Sequence, residues 1–333
     1  MAGGHPMTIG FQPNLLDDWH TNSPAPTRPP QVIGELGEVD SFVHYVYAMP
    51  FIHTPDAVRV RRAIEEIQSF NATRPLGARR LVVIDGPAHF GKTTLVLHTA
   101  LAQARAVWAQ EERQERSPHS IPWAYVNATS GGEGRSVAGA IAGFCHLPPP
   151  SSRPTLAQYL QQLAHTSKPM GLHTVFVDDI HALRSFGGRD ARSLADSIKA
   201  LVTGLPLTLV LAGIELRRHP LFVDNGRDRI TAAQLLNRSH WVRLRPWPSH
   251  DEAGHIHEDW LRLIAHVSEY VALPRGHKQN RLHTRAAIDY LVSGVDGRPG
   301  TAIEWLLRAA AWAATNDKPL DRSALVATKP GAR

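Results

Sequence analysis

The chain has 333 residues, of which 43% are hydrophobic and 20% are charged, proportions that are ordinary for a globular protein. This length allows two domains, because single cores rarely grow beyond about 250–300 residues. The formal charge is +6, and ten Lys/Arg against five Asp/Glu between Arg275 and Arg333 place +5 of it in the C-terminal segment. Such a segment can meet nucleic acid, although a merely solvated basic face explains it equally well.

Two classes of protein are disfavoured by the sequence. No apolar run reaches the roughly 18 residues of a membrane helix, and the N-terminus lacks a secretory signal pattern, so we expect a cytoplasmic protein without a membrane span. Cys145 is the single cysteine, which leaves no partner for an intrachain disulfide or a cysteine zinc site. We expect it to be a buried, unreactive thiol.

The chain begins with an N-terminal segment over residues 1–55. Its first 30 or so residues are rich in proline, glycine and polar residues, which predicts a loosely ordered arm. A helix should follow, with Thr54 as its cap and Pro55 at its first position. Its apolar stripe is predicted to consist of Val58, Ile64 and Ile67.

Four short apolar runs come next, each bounded by glycine, proline or polar residues and separated by helical stretches. They are RRLVVIDG, PWAYVNAT, HTVFVDDI and LTLVLAGI. Runs of this kind are typical of buried parallel strands. Residues 56–245 should therefore form an α/β domain with a parallel sheet flanked by helices.

Beyond residue 245 the pattern becomes entirely helical. One helical face collects the apolar side chains Trp260, Leu261, Ile264 and Val267. Further on, Thr301 and Glu304 have the spacing of a capping box that would begin a helix. We expect a small all-helical domain over residues 246–325, followed by a tail over 326–333.

The segment Gly86 to Thr93, GPAHFGKT, matches the phosphate-binding pattern G-x-x-x-x-G-K-[ST] at every fixed position, between an apolar run and a helical stretch. Loop N–H groups and the helix N-terminus should hold phosphates. Lys92 should reach the β- and γ-phosphates, and Thr93 should hold Mg²⁺. A chance match or a degenerate loop is the alternative. The residues expected at the nucleotide are Gly86, Pro87, Ala88, His89, Phe90, Gly91, Lys92, Thr93 and Thr94.

A pair of acids, Asp178 and Asp179, ends the third apolar run. A nucleotide hydrolase needs one carboxylate beside Mg²⁺ and another group to orient the attacking water. We expect Asp178 to be the metal-side acid and Asp179 the catalytic base. Adjacent like charges are costly without a cation, and Mg²⁺ would supply one. The alternative is that an Asp here merely caps the next helix.

Together with these motifs, four later stretches resemble AAA+ ATPases and, within them, the TniB/TnsC-type transposition ATPases. The stretches are LVLAGIEL, FVDNGRDRITAAQLLNRSHWVRLRPWP, VALPRGHK and GVDGRPGTAIEWLLRAAAWAA. The upstream YVYAMPFIHTPDAVRVRRAIEEI is also similar, so the resemblance covers about residues 40 to 315. It implies a P-loop AAA+ core with a C-terminal helical lid, and ATP and Mg²⁺ as cofactors. It also implies subunits stacked in a ring or filament around duplex DNA, where the ATP state controls binding of a transposase and a target selector.

The resemblance also suggests roles for two arginines. Arg238 lies where the family has an arginine finger, a cation that a neighbouring subunit offers to the γ-phosphate. A plain surface arginine is the alternative, and Arg227 or Arg229 could serve instead. Arg298 lies where the family can place a second phosphate sensor, with an ordinary loop arginine as the alternative.

Two positions depart from the AAA+ pattern. Asp179 stands where Glu is usual, and its side chain is one methylene shorter. A displacement on the order of 1 Å can cost about 100-fold in rate, so we expect slow hydrolysis that suits a switch. At the end of the fourth run, Ile214 and then Glu215 stand where a polar sensor is usual, and no residue is assigned to that role.

The resulting prediction is an ATP-binding, slowly hydrolysing AAA+ regulator that assembles on DNA without reading its sequence and links target selection to a separate transposase. Two alternatives remain: a regulatory or defence-type NTPase switch acting on protein partners, and a nucleotide-binding scaffold with little hydrolysis. Candidates for DNA contact are Thr129, Ser130 and Arg135 and the stretch RSFGGRDARS, unless both loops are flexible linkers.

Overall fold

The computed structural model describes residues 42–43, 45–47, 49–114, 120–128, 135–185, 197–223, 229–271 and 280–331. Several sequence predictions lie outside the described residues. They concern the N-terminal arm, Thr129, Ser130, Arg227, the stretch 186–193 and the side chains of Arg135 and Arg229.

The chain divides into two compact units. Of the described residues, unit 1 holds those in 57–88 and 92–244, and unit 2 holds those in 42–56, 89–91 and 245–331. Among the helices that the structure describes, none is long and apolar enough to cross a membrane.

Unit 1 is built on a five-stranded parallel sheet with the strand order β2-β3-β4-β1-β5. The strands are β1 (Leu81–Asp85), β2 (Trp123–Asn127), β3 (Thr174–Asp178), β4 (Thr208–Gly213) and β5 (Ser239–Arg243). Every residue of β1, β3 and β4 is buried, as expected of central strands that are covered on both faces. The predicted α/β class is confirmed.

The fifth strand was not among the predicted runs, and its burial explains why. β5 lies at the edge of the sheet, and within it only Val242 is buried. The neighbouring Trp241 is half-buried and packs edge-on against Phe222, with ring centroids 4.9 Å apart. The other edge strand, β2, has four buried residues and was recognised by its apolar run, whereas β5 has one buried residue and no such run.

Helices accompany the sheet: α1 (Pro55–Ala72), α2 (Lys92–Arg113), α3 (Arg135–Phe144), α4 (Leu156–Thr166) and α5 (Arg229–Arg238). Residues 197–204 are helical too, and 3₁₀ turns cover Ile180–Ser185 and Leu216–Arg218. The predicted position of Pro55 at the start of α1 is confirmed.

The predicted stripe of α1 needs one correction. Ile64 and Ile67 are buried, but Val58 is 36% exposed and Val60 is buried instead. Counting back from Ile67, helical spacing of three and four residues leads through Ile64 to Val60. Val58 lies two residues from that series, on another face of the helix.

Unit 2 contains the helices α6 (Glu258–Tyr270), α7 (Arg285–Gly294), α8 (Pro299–Thr315) and α9 (Arg322–Ala327). Its core is centred on the fully buried Trp260 and Trp305. The indole N–H of Trp305 donates a hydrogen bond to the carbonyl oxygen of Leu325 in α9, at 2.9 Å. The bond gives a partner to the indole N–H, which is the polar group of this buried side chain.

Two predictions for unit 2 are wrong. Leu261 is 42% exposed, and Leu263 takes its place on the buried face of α6 beside Trp260 and Ile264. Thr301 does not begin a helix, because α8 already starts at Pro299 with Arg298 as its N-cap. Proline favours the first helical position, and α8 starts three residues upstream of the start that a Thr301 cap would give.

Candidate nucleotide site

The phosphate-binding loop joins β1 to α2 and contains two left-handed residues. Gly91 has φ +71°, and no atom lies within 4 Å of a Cβ built on it, so the space beside it is open. His89 has φ +63°, a conformation that costs a non-glycine residue about 1 kcal/mol. Gly86 is needed for another reason: a Cβ there would lie 2.8 Å from Leu244 Cβ.

Lys92 is the first residue of α2, and its side chain bends back onto this loop. Its Nζ donates hydrogen bonds to the carbonyl oxygens of Gly86 at 3.0 Å and Pro87 at 2.7 Å. Burial lowers the pKa of Lys92, and the nearby carboxylates of Asp178, Asp179 and Asp85 oppose that shift. A buried ammonium held beside the loop is placed to meet an anion there.

Thr93 and Asp178 bring α2 and β3 together. The Thr93 hydroxyl donates a hydrogen bond of 2.6 Å to Oδ2 of Asp178, which is fully buried. Burial raises the pKa of Asp178, and the hydrogen bond from Thr93 acts against that rise. Mg²⁺ prefers oxygen ligands and is commonly held by one or two carboxylates together with substrate phosphates. This hydroxyl–carboxylate pair fits such an ion.

Asp179 differs from its neighbour in exposure and in backbone conformation. Its side chain is 34% exposed, and its φ of +53° lies in the left-handed region. Its Oδ2 accepts a hydrogen bond of 3.3 Å from the Asn127 amide, and its Oδ1 lies 3.9 Å from Nδ1 of His181. Asp179 is thus the more accessible of the two acids.

Two side chains of β2 that the sequence reasoning missed also contact the acids. The Tyr125 hydroxyl donates a hydrogen bond of 3.1 Å to Oδ2 of Asp178, and Asn127 contacts Asp179. In the sheet register Asn127 pairs with Asp178. Asn127 ends β2 as the acids end β3, and polar residues at the carboxyl ends of adjacent parallel strands meet at one edge of a sheet, but the structure was needed to show that these two strands are adjacent.

A third missed residue is Asp85, a buried carboxylate at the end of β1. Its Oδ1 accepts a hydrogen bond of 2.9 Å from the backbone N–H of Leu216, just after β4. The intervening Ile214 is half-buried, and Glu215 is exposed with φ +49°. Asp85 therefore fixes the position of the loop in which no polar sensor was found.

Neither of the two predicted arginine roles is tested by the structure. Arg238 is the last residue of α5 and is half-buried, and its Nη1 has no hydrogen-bond partner among the described residues. Arg298 is the N-cap of α8 in unit 2 and makes no side-chain capping bond. Just beyond it, a Cβ on Gly300 would lie 2.6 Å from the carbonyl oxygen of His89, a residue of the same unit. Both arginine roles stay predictions.

Comparison with protein families gives one match, over residues 75–219, to the family described as AAA domain. Residues 75–219 are thus similar to AAA domains. The matched region contains β1 to β4, the loop before Lys92 and the Asp178–Asp179 pair. No curated protein matches the chain.

Solved structures are also similar to the chain. The chain is similar to ORC2 from Aeropyrum pernix in its ADPNP–ADP complexes, with 19% identity, a TM-score of 0.58, and coverage of 86% of this chain and 72% of that one. It is similar to Cdc6p from Pyrobaculum aerophilum, with 14% identity, a TM-score of 0.54, and coverage of 82% and 66%. At these identities the likeness shows the fold alone, which is the P-loop AAA+ fold.

Proposed function

We propose that this protein binds ATP together with Mg²⁺ and hydrolyses it slowly. The observation that carries the proposal is the Lys92–Thr93–Asp178 cluster, in which a buried ammonium lies at the loop and a hydroxyl and a carboxylate lie 2.6 Å apart. The ADPNP and ADP complexes of the similar ORC2 support an adenine nucleotide.

In this proposal each group has one task. Loop N–H groups and Lys92 would bind the phosphates, for which the Lys92 ammonium exchanges its carbonyl partners for phosphate oxygens. Thr93 and Asp178 would hold Mg²⁺, which when bound neutralises charge on the phosphate oxygens. Asp179, exposed to water, would orient the attacking water and accept its proton.

The slow rate follows from Asp179, whose side chain is one methylene shorter than the usual Glu. The proposal predicts that Asp179→Glu raises single-turnover hydrolysis, because the longer side chain brings the carboxylate closer to the attacking water. The Kd of ATP with Mg²⁺ should stay unchanged, since Asp178 and Thr93 are intact. Fast turnover by the wild type, or a slower Asp179→Glu variant, would contradict this explanation.

We further propose that ATP binding controls assembly on duplex DNA and that the assembly links target selection to a separate transposase. The resemblance of residues 40 to 315 to the TniB/TnsC-type ATPases supports this role, and so does the basic C-terminal segment. Arg238 would act across the subunit boundary as an arginine finger, and Arg298 would sense the phosphates.

Two measurements test these proposals. Displacement of a fluorescent ATP analogue gives the Kd with Mg²⁺ and with EDTA, for the wild type and for Lys92→Ala, which should lose binding.

Electron microscopy with duplex DNA should show assemblies that need ATP and dissociate as the salt concentration rises, because protein contacts to DNA phosphates release counterions. Binding of ATP without any DNA assembly would favour a switch that acts on proteins, and binding without single-turnover hydrolysis would favour a scaffold.

A further inference from the structure

The loop between α1 and β1, residues 73–80, carries a positive charge that the nucleotide site does not use. From Ile67 to Ile84 the sequence has three arginines, Arg74, Arg79 and Arg80, and no acidic residue. None of the three forms an ion pair with another described residue. Because this loop precedes β1 and the phosphate-binding loop follows it, the two loops lie at opposite ends of the strand.

The loop is held in one conformation by a buried side chain. The Asn71 amide nitrogen donates hydrogen bonds to the carbonyl oxygen of Arg80 at 2.9 Å and to the hydroxyl of Thr208 at 3.1 Å. The amide oxygen of Asn71 accepts the N–H of Arg80 at 2.8 Å. Gly77 turns the chain with φ +88°, a conformation that favours glycine. A loop fixed in this way needs little further ordering when a partner binds.

Two of the arginines stack on one aromatic ring. The guanidinium carbon of Arg74 lies 4.7 Å from the centroid of the Phe70 ring, and that of Arg80 lies 4.6 Å from the same point. Stacking restrains the long side chain, while the planar guanidinium keeps its N–H donors along its edge. Such an edge matches the oxygen atoms of a phosphate group.

The third arginine, Arg79, lacks compensation for its charge. It is half-buried, and its Nε is buried without a hydrogen-bond partner among the described residues. Burial lowers the pKa of Arg79, and no described carboxylate opposes that shift. An anion from outside the chain would stabilise the charged form.

We propose that Arg74, Arg79 and Arg80 form a binding surface for the phosphate backbone of duplex DNA. This assignment rests on the proposed assembly on DNA, to which it adds a contact surface. The surface binds phosphates without reading bases, as contacts to the backbone do in general.

The neighbouring side chains favour duplex DNA over two other anionic partners. With Arg74 and Arg80 over it, the Phe70 ring is not open for the base stacking by which proteins hold single strands. Within residues 73–80, Leu76 is the one large apolar side chain that is exposed. An acidic protein would normally be anchored by several buried aromatic or aliphatic side chains.

The salt dependence of duplex binding tests this surface. Fluorescence anisotropy gives the Kd of a labelled duplex of mixed sequence, with a non-hydrolysable ATP analogue and Mg²⁺, over a series of salt concentrations. Arg74→Ala and Arg80→Ala should each weaken the Kd about tenfold at low salt. Each should also reduce the slope of log Kd against log salt by about 0.9, because one phosphate contact is lost.

Three controls separate charge from structure. Arg80→Lys keeps the charge and should keep the wild-type slope. Arg105→Ala removes an exposed arginine from α2 and should change neither the Kd nor the slope. The Kd of a fluorescent ATP analogue should be the same in all of these variants, because the phosphate-binding loop lies at the other end of β1.

Each remaining outcome has one meaning. If the wild type binds the duplex and Arg74→Ala and Arg80→Ala bind it with the same Kd and slope, the surface is disproved and the proposed assembly on DNA stands. A lower unfolding temperature with an unchanged slope would assign the arginines to packing on Phe70 alone and overturn the surface. Unchanged duplex binding with weaker binding of polyglutamate would assign it to an acidic protein instead, and a larger loss for a single strand than for the duplex would assign it to single strands. If the wild type binds no duplex, the proposed assembly on DNA fails and this surface with it.

Discussion

At the scale of single residues, Gly91 of the phosphate-binding loop could carry a side-chain Cβ without a clash with a neighbouring residue. Gly91 has φ +71° and open space where a Cβ would project. An alanine there therefore meets no protein atom, and its cost to folding comes from the backbone conformation alone, about 1 kcal/mol. The same Cβ would stand in the space that a phosphate needs.

We predict that Gly91→Ala lowers the free energy of unfolding by about 1 kcal/mol yet abolishes nucleotide binding. Urea denaturation and analogue displacement measure the two effects. Gly143→Ala is the control, because that exposed glycine of α3 also has open space but no positive φ. It should leave binding intact and raise stability slightly, since alanine is the better helix former. Retained binding in Gly91→Ala would count against a phosphate at this loop.

Cys145 gives a second prediction at this scale. It is buried, as predicted, and burial raises its pKa to about 12, so the folded protein presents little thiolate. Iodoacetamide at pH 8 should leave the native protein unmodified and should alkylate it once after unfolding in guanidinium chloride. Mass spectrometry counts the adducts. Rapid alkylation of the native protein would show that the segment around Cys145 opens readily.

At the scale of elements, sequence patterns located several helices and four of the five strands, but they misassigned one residue on each of two helix faces and the start of one helix. The stripes of α1 and α6 each contained one misplaced residue, Val58 and Leu261, because an apolar residue beside a buried face looks like part of it. β5 was missed since only one of its residues is buried, whereas the other edge strand, β2, has four buried residues and was recognised. The Thr301 pattern failed because Pro299 starts the helix three residues earlier than a Thr301 cap would.

Among the described residues, a capping box begins α4, which gives a prediction with a matched control. Thr155 accepts a hydrogen bond from the Gln158 N–H, and the Gln158 side chain accepts one from the Thr155 N–H. Thr155→Ala should lower the free energy of unfolding by about 1 kcal/mol. Thr301→Ala, inside the first turn of α8, should cost less, because that threonine caps nothing. Equal losses in urea denaturation would contradict the assignment.

At the scale of the whole molecule, local motifs and long-range partners differ in how well sequence reveals them. Lys92, Thr93 and Asp178 belong to motifs with fixed spacing, so their places could be predicted. Tyr125 and Asn127 could not be linked to the acids without the strand order, which sets β2 beside β3. For Arg238 even the strand order is not enough, because an arginine finger acts on the nucleotide of another subunit and its role depends on the assembly.

That requirement gives a prediction that only an assembly can satisfy. Arg238→Ala and Asp179→Asn should each abolish hydrolysis when all subunits carry the change. Mixed in equal amounts, they should regain about a quarter of wild-type activity, because a head-to-tail interface can pair an intact Asp179 with an intact Arg238 from its neighbour. Steady-state ATPase assays on the mixtures measure this. If Arg238 acted within its own subunit, every subunit would lack one of the two groups and the mixture would stay inactive. Full activity of the Arg238→Ala variant alone would show that Arg238 is not the arginine finger. Arg227 and Arg229 would then be the remaining candidates.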